Sequence, residues 1–268
     1  ATNFGIVYGI SAWGLSEQID VTLDEAKSFI NKFFETYPKV KEFMDDEIDI
    51  PFYNGTPKLS TVEWGLVLSS ILLTIGYLTV IRIPGEYLPV AIFLTSVIPA
   101  LYICKGNYNI FFKKPKLRDI KIIILCLIGI YIYTIAIGFI LQNLVGNMAA
   151  HASTNDPASL MTLIIMCIQL MGEEFFKILL LLLIMFVLYK YTNNRSISLF
   201  VGLILSMAIF GLVHYNAYSG RIIQILFIQG FGAIFEYYAF LQTKNVWISY
   251  IIHVLRDSIP ELVKMIGY

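Results

Sequence analysis

Beyond Trp64 the chain becomes a succession of apolar runs, at about residues 64–81, 87–104, 122–145, 160–189, 197–215, 222–241 and 246–266. Each is close to the ~20 residues that a helix needs to cross a ~30 Å hydrocarbon core. Because lipid offers the backbone no hydrogen-bonding partner, segments of this kind close their bonds internally as helices. The pattern therefore predicts an all-α, polytopic membrane helix bundle of about seven transmembrane helices. Composition agrees: 57% of the 268 residues are hydrophobic, 14% are charged and the mean hydropathy is +0.73, a balance that a soluble domain of this size could not hide from water. The run at 160–189 is over-long, and Gly172 is expected to let it bend or begin as a shallow segment.

The first 60 residues differ. They are polar, with the acidic cluster "DDEIDI" at Asp45 to Ile50, and "PFYNGTPKLS" follows with the Pro, Gly and Asn of a linker. Three parts are expected: a helical N-terminal extension at 1–50, a linker at 51–62 and a membrane domain at 63–268. Within the first, "VTLDEAKSFINKFFETY" has apolar residues at helical spacing, with Thr22 as N-cap and Glu25 three residues on, so two short amphipathic helices are predicted. The chain opens on Ala1 without a basic stretch followed by a short apolar one, and no signal peptide is expected. Formal net charge is zero, which lacks the basic surplus of a nucleic-acid-binding surface; no nucleic-acid partner is expected. Cys104, Cys126 and Cys167 lie in or at the ends of apolar runs and form no CxxC, so they read as packing residues.

Lys and Arg in the loops set orientation. The loop after the second run holds Lys105, Lys113, Lys114, Lys116, Arg118 and Lys121, whereas "GNMAAHASTNDPAS" after the third holds no Lys or Arg. This places the basic loop, the N-terminal region, Lys190, Arg195 and Lys244 in the cytoplasm of a bacterial plasma membrane, with Arg82, Arg221 and Lys264 as outside exceptions. His151, in the polar outer loop, is expected to be solvated.

Ionisable side chains in hydrocarbon are disfavoured by ~2.5–3.5 kcal/mol each on insertion scales, so they persist where they pair or face a cavity. They are few here: Glu173, Glu174 and Lys177 in the fourth run, His214 in the fifth, Glu236 in the sixth, and His253, Arg256 and Asp257 in the seventh. Glu174 and Lys177 are three apart, Phe210 and His214 four apart, and His253 and Asp257 four apart, so each pair shares a helical face. Three helices can thereby aim carboxylates and imidazoles at one cavity. That set suits hydrolysis, in which a desolvated carboxylate takes a proton from water and a histidine orients the water or protonates a leaving amine. Arg256 is expected to pair with a carboxylate; Glu236 reads equally as a substrate-side residue or a paired structural one.

The segments "GEEFFK" (Gly172 to Lys177), "FGLVH" (Phe210 to His214) and "HVLRD" (His253 to Asp257) resemble, in order and rough spacing, the EExxxR, FxxxH and HxxxN/D motifs of the CAAX-protease and bacteriocin-processing family of intramembrane glutamic endopeptidases. "TKNVWISYIIH" (Thr243 to His253) is similar to that family's approach to its last motif, and the resemblance covers about residues 160–260. It implies a metal-independent peptidase acting on a peptide or a lipidated or membrane-anchored protein. Glu173, helped by His214, would activate water; Glu174 would support the site; His253 with Asp257 would hold the oxyanion, Asp257 chiefly by orienting His253; Lys177 and Phe210 would be supporting residues. Where the family usually has Arg this chain has Ile178, and its cation is Lys177 one position earlier, ~100° round the helix. That form is similar to the membrane proteases that cleave anti-sigma factors. No cofactor is implied. Zinc held by Glu173, His214 and His253 is the lesser alternative, since no HExxH is present.

"NFGIVYG" (Asn3 to Gly9) and "FFETYPKVKEFM" (Phe33 to Met44) closely resemble part of the fingers subdomain of family A DNA polymerases, in which Phe4 and Tyr8 would stack near an incoming base. Nothing later in the chain resembles the palm with its metal-binding carboxylates, and phosphoryl transfer needs that charge stabilisation. The resemblance therefore implies a fragment joined to a membrane protein, without polymerase activity. Against the peptidase reading stands a non-catalytic immunity or regulator-binding protein on the same scaffold, for which the Ile178 and Asp257 departures leave room.

Overall fold

The computed structural model describes residues 12–38, 50–81, 83–146, 148–150 and 159–266. Phe4, Tyr8, Arg82 and His151 lie outside them. The chain divides into two units, Ala1–Asp49 and Ile50–Tyr268.

In the first unit, α1 (Ala12–Ile19) and α2 (Leu23–Thr36) form a helical pair that closes over Leu15 and Ala26. The expected cap is present: Thr22 Oγ1 accepts from the Glu25 N–H at 3.3 Å, and Glu25 Oε2 accepts from the Thr22 N–H at 2.9 Å. These bonds hold the Glu25 carboxyl below the usual carboxylate range, the Thr22 backbone donor contributing most. Because that value is depressed in the folded chain, the cap's contribution is present at neutral pH and is lost as pH falls through it.

The second unit is an all-helical bundle, with no strand among the described residues: α3 (Thr61–Thr79), α4 (Leu88–Ile103), α5 (Leu117–Val145), α6 (Leu160–Thr192), α7 (Arg195–Leu212), a broken segment over Ile222–Thr243 that ends in α8 (Ile234–Thr243), and α9 (Val246–Ile266). Four of these, α3, α5, α7 and the Ile222–Thr243 segment, are long and apolar enough to cross a membrane. The passes run alternately between two ends. At one end Lys105 Nζ meets Glu63 at 2.9 Å, Tyr53 packs edge-on against Tyr189 at 5.0 Å, and the Val246 N–H donates to Phe111 O at 2.8 Å. At the other, Asn216 Nδ2 donates to Leu78 O at 3.0 Å and Gln224 brackets the backbone of Ala149. The basic loop, the α6–α7 turn and Lys244 thus share one end. Leu72, Ile98, Ile135, Phe139 and Phe200 are exposed on the outer faces, the arrangement expected where the solvent is hydrocarbon.

Residues 51–62 do not form a linker. Ile50, Phe52, Tyr53 and Leu59 are buried in the main core, and a turn bonded from the Phe52 N–H to Thr56 O at 2.9 Å turns their side chains inward. The Pro, Gly and Asn make that turn, while the hydrophobic effect acting on its aromatic residues anchors it.

The helix runs through Gly172 without a break, and α6 is one helix of 33 residues. A Cβ at Gly172 would lie 2.7 Å from the Phe93 backbone nitrogen, so this glycine lets α4 and α6 touch backbone to backbone, as small residues do between membrane helices. Gly172→Ala is expected to destabilise the second unit by about 1–3 kcal/mol. Thermal unfolding in detergent checks this against Gly65→Ala, whose added methyl meets nothing within 4 Å.

The sixth pass, expected as a regular helix, instead contains a π-helical turn at Ile225–Gly230 and a 3-10 turn at Phe231–Ala233. A second backbone contact accompanies these turns: a Cβ at Gly230 would lie 2.6 Å from Met207 O, and one at Gly211 2.8 Å from Ile225 O. The widened turn thus lies against the C-terminal part of α7, beside the segment "FGLVH".

Candidate active site

Helix α6 is enclosed on every side over Leu170–Leu182, which is why its sequence is apolar all round and shows no lipid-facing stripe. The exceptions within that stretch are Glu173, Glu174 and Lys177, all buried. Helix α9 brings His253, Arg256 and Asp257 to one side at helical spacing, and α8 brings Glu236.

These residues form a closed ring of alternating sign. His253 Nδ1 lies 2.7 Å from Glu174 Oε1. Glu174 Oε1 also meets Lys177 Nζ at 2.5 Å, and Lys177 Nζ meets Glu236 Oε2 at 2.5 Å. Glu236 Oε1 accepts from Arg256 Nη1 at 2.6 Å, and Arg256 Nε donates to Asp257 Oδ1 at 2.7 Å. Asp257 Oδ2 returns to His253 Nε2 at 3.4 Å. A carboxylate accepts only, so the Nδ1 proton of His253 is donated to Glu174. The i, i+3 spacing read from the sequence makes the Glu174–Lys177 pair, and Arg256 has the carboxylate partners expected of it.

Glu173 stands outside the ring. Its Oε1 accepts from the neutral Gln169 amide at 2.7 Å, and its Oε2 lies 4.0 Å from His253 Nε2. His214 does not sit within its helix, as expected, but in the turn just after the C-cap Val213. Its Nδ1 is 2.8 Å from Phe210 O; a carbonyl only accepts, so Nδ1 carries the proton and Nε2 is left free. The charged groups acting on this imidazole are Glu173, Arg256 and His253. Phe210 joins the two halves, with Lys177 Nζ 5.0 Å over its ring and His214 packed edge-on at 4.9 Å. Asp257 lies beside His253 as expected, yet its shorter bond goes to Arg256. Glu236, which reads from sequence equally as a substrate-side or a paired residue, is a buried carboxylate bonded to Lys177 and Arg256. Its signal was a lone carboxylate in an apolar run, which must find its partner on another helix.

Among the described residues, the set with metal-ligand spacing is Glu174, Glu236 and His253, whose donor atoms lie within 4.8 Å of one another; it is not the Glu173, His214 and His253 set weighed from sequence. Its two carboxylates already share the Lys177 ammonium. A dication there would face Lys177 and Arg256 at contact distance, so the donor set does not fit a metal.

A ring of buried charge on the segments "GEEFFK" and "HVLRD", with "FGLVH" beside it, is the arrangement that the family comparison addresses. Residues 156–259 match the type II CAAX prenyl endopeptidase Rce1-like family. The matched stretch holds the whole ring together with Glu173, Phe210 and His214, and with the apolar helices it supports an integral membrane protease. Residues 1–52 match the DNA polymerase family A model. Over 55 residues the chain is 54% identical to DNA polymerase I of Caldicellulosiruptor bescii, a stretch that is 20% of this chain and 6% of that polymerase. To DNA polymerase I of Geobacillus stearothermophilus it is 50% identical over 46 residues, 17% of this chain and 5% of that protein. The chain thus spans only a small fraction of the length of these curated relatives. No solved structure matches.

Proposed function

We propose that the second unit is an intramembrane glutamic endopeptidase that hydrolyses a peptide bond in a membrane-associated protein or peptide. The observation that carries this reading is Glu173: a buried carboxylate whose hydrogen bond is to a neutral amide, with His253 Nε2 4.0 Å away, next to a ring in which Glu174, Glu236 and Asp257 each bond Lys177 or Arg256. A carboxylate bonded to neither Lys nor Arg has an oxygen left to accept a hydrogen bond from water, the geometry that a general base needs.

Glu173 removes a proton from water held between its carboxylate and the free Nε2 of His214. The water oxygen bonds to the scissile carbonyl carbon. His253, oriented by Glu174 and Asp257, faces the developing oxyanion. The C–N bond then breaks, and the proton held by Glu173 passes to the leaving amine. No metal takes part, so hydrolysis is expected to survive a strong chelator such as 1,10-phenanthroline; loss of activity that zinc restores would overturn this point.

A non-catalytic scaffold is the competing reading, favoured by the pairing within the ring. Glu173→Gln separates the two, because removing an unmatched base stops hydrolysis and leaves a purely structural role intact. The protein lies in the bilayer of a bacterial plasma membrane, and its polymerase-like N-terminal stretch has no nucleic-acid role. The end bearing Lys105 to Lys121 faces the cytoplasm. With that orientation, a cysteine placed at Ser219 reacts with a membrane-impermeant maleimide applied to intact cells, and one placed at Lys114 does not; the opposite pattern inverts the topology.

A further inference from the structure

Two members of the buried ring, Glu236 and Arg256, belong to none of the three motif segments' recognised positions, yet without them the ring is open. Glu236 is 1% exposed and lies between Lys177 and Arg256; Arg256 lies between Glu236 and Asp257. A cluster serving only helix packing would need no more than the i, i+3 pair Glu174–Lys177. Here the pairing continues through α8 and back along α9 until it reaches the far nitrogen of the imidazole from which it began. Three carboxylates alternate with Lys177, Arg256 and His253, so each carboxylate has a cation or imidazole on both sides.

We propose that Glu236 and Arg256 are positioning residues that fix the plane of the His253 imidazole relative to Glu173. A single bond at Nδ1 restrains rotation about the Cβ–Cγ bond only as far as one hydrogen bond can bend, which leaves Nε2 room to rock. A second contact at Nε2, from Asp257, removes that freedom only if Asp257 is itself held. Its side chain is 33% exposed, and the Arg256 guanidinium holds it through Nε at 2.7 Å and Nη2 at 3.5 Å. Glu236 in turn fixes Arg256 and ties it to Lys177 on α6, the helix that carries Glu173. His253 is therefore set relative to Glu173 by two routes, one direct through Glu174 and one through Lys177, Glu236, Arg256 and Asp257. The dual anchoring also explains a cation at Lys177: from that register it reaches Glu174 and Glu236 together. The inference rests on the peptidase reading for its consequence in catalysis, but the placement of His253 is testable without it.

The chain has three histidines, so the full-length protein labelled at histidine in detergent micelles gives three imidazole signals, with that of His253 assigned by its loss in His253→Gln. Glu236→Gln keeps size and removes one charge; it is expected to move the His253 imidazole 15N resonances and leave those of His151 in place, while Glu236→Asp restores them. In turnover, Glu236→Gln lowers kcat about 10- to 100-fold with KM within about threefold of wild type, since a ~1 Å misplacement of a reacting group has that cost. Should Glu236→Gln fail to fold, Lys177→Met/Glu236→Gln removes adjacent opposite charges together, and it is expected to fold and still to move the His253 signals. Unmoved His253 resonances in either folded variant overturn the proposal. Wild-type hydrolysis by Glu173→Gln would instead overturn Glu173 as the base, and absence of any hydrolysis by the wild-type chain would overturn the peptidase reading; in either case the resonances still decide the role of Glu236 and Arg256.

Discussion

Glu173→Gln is expected to slow peptide hydrolysis about 10²- to 10⁴-fold, the usual contribution of a general base, and to leave the fold unchanged. Gln is nearly isosteric with Glu, so the contact with Gln169 is kept in kind while the proton acceptor is lost. Glu173 is no member of the ring bonds, each of which runs between Glu174, Lys177, Glu236, Arg256, Asp257 and His253. The loss should therefore fall on kcat, with unchanged expression and unfolding temperature in detergent. Glu174→Gln gives the contrast: it weakens bonds to both Lys177 and His253, so it is expected to lower stability as well as rate. If Glu173→Gln retains the wild-type rate, another group is the base.

Lys177→Met is expected to have the largest effect on stability, about 3–5 kcal/mol, because removing one partner of a buried ion pair leaves its counter-charges uncompensated. Here two counter-charges are left, Glu174 and Glu236, each 2.5 Å from the ammonium and each 1% exposed. Methionine fits the volume, so packing against Phe210 is largely kept, and the loss is electrostatic. The exposed Lys190 at the end of α6 provides the comparison, since Lys190→Met at a solvated site should change stability by no more than about 0.5 kcal/mol. Reversible unfolding in mixed micelles measures both; equal effects would mean that Lys177 is not buried among carboxylates.

What could be read from sequence is what short-range geometry determines. The Glu174–Lys177 pair follows from a three-residue spacing, the Thr22–Glu25 capping box from another, and the helical bundle from the length of the apolar runs. The three motif segments could be recognised because their residues crowd into single turns. The closure of the ring could not be read this way. Glu236 meets Lys177 across 59 residues and Arg256 across 20, and such pairings depend on how α6, α8 and α9 pack. The role of Gly172 as a contact point could not be read either: within its own helix a glycine suggests a bend, and only the arrival of Phe93 shows the close approach. Residues 51–62 were misread because Pro, Gly and Asn report the turn and not where its Phe and Tyr go. The π-helical turn at Ile225–Gly230 lies where the chain crosses α7, a contact absent from any local pattern.

The central claim is that this bundle cleaves membrane-associated polypeptides with Glu173 as the base. The most direct measurement is a comparison of protein N-termini, by terminal-amine labelling and mass spectrometry, in membranes of cells producing the full chain or its Glu173→Gln variant at equal levels, with and without a chelator. The account predicts new N-termini in one or more membrane-associated proteins that require Glu173 and persist in the chelator. Identical sets of N-termini from the two chains would contradict it.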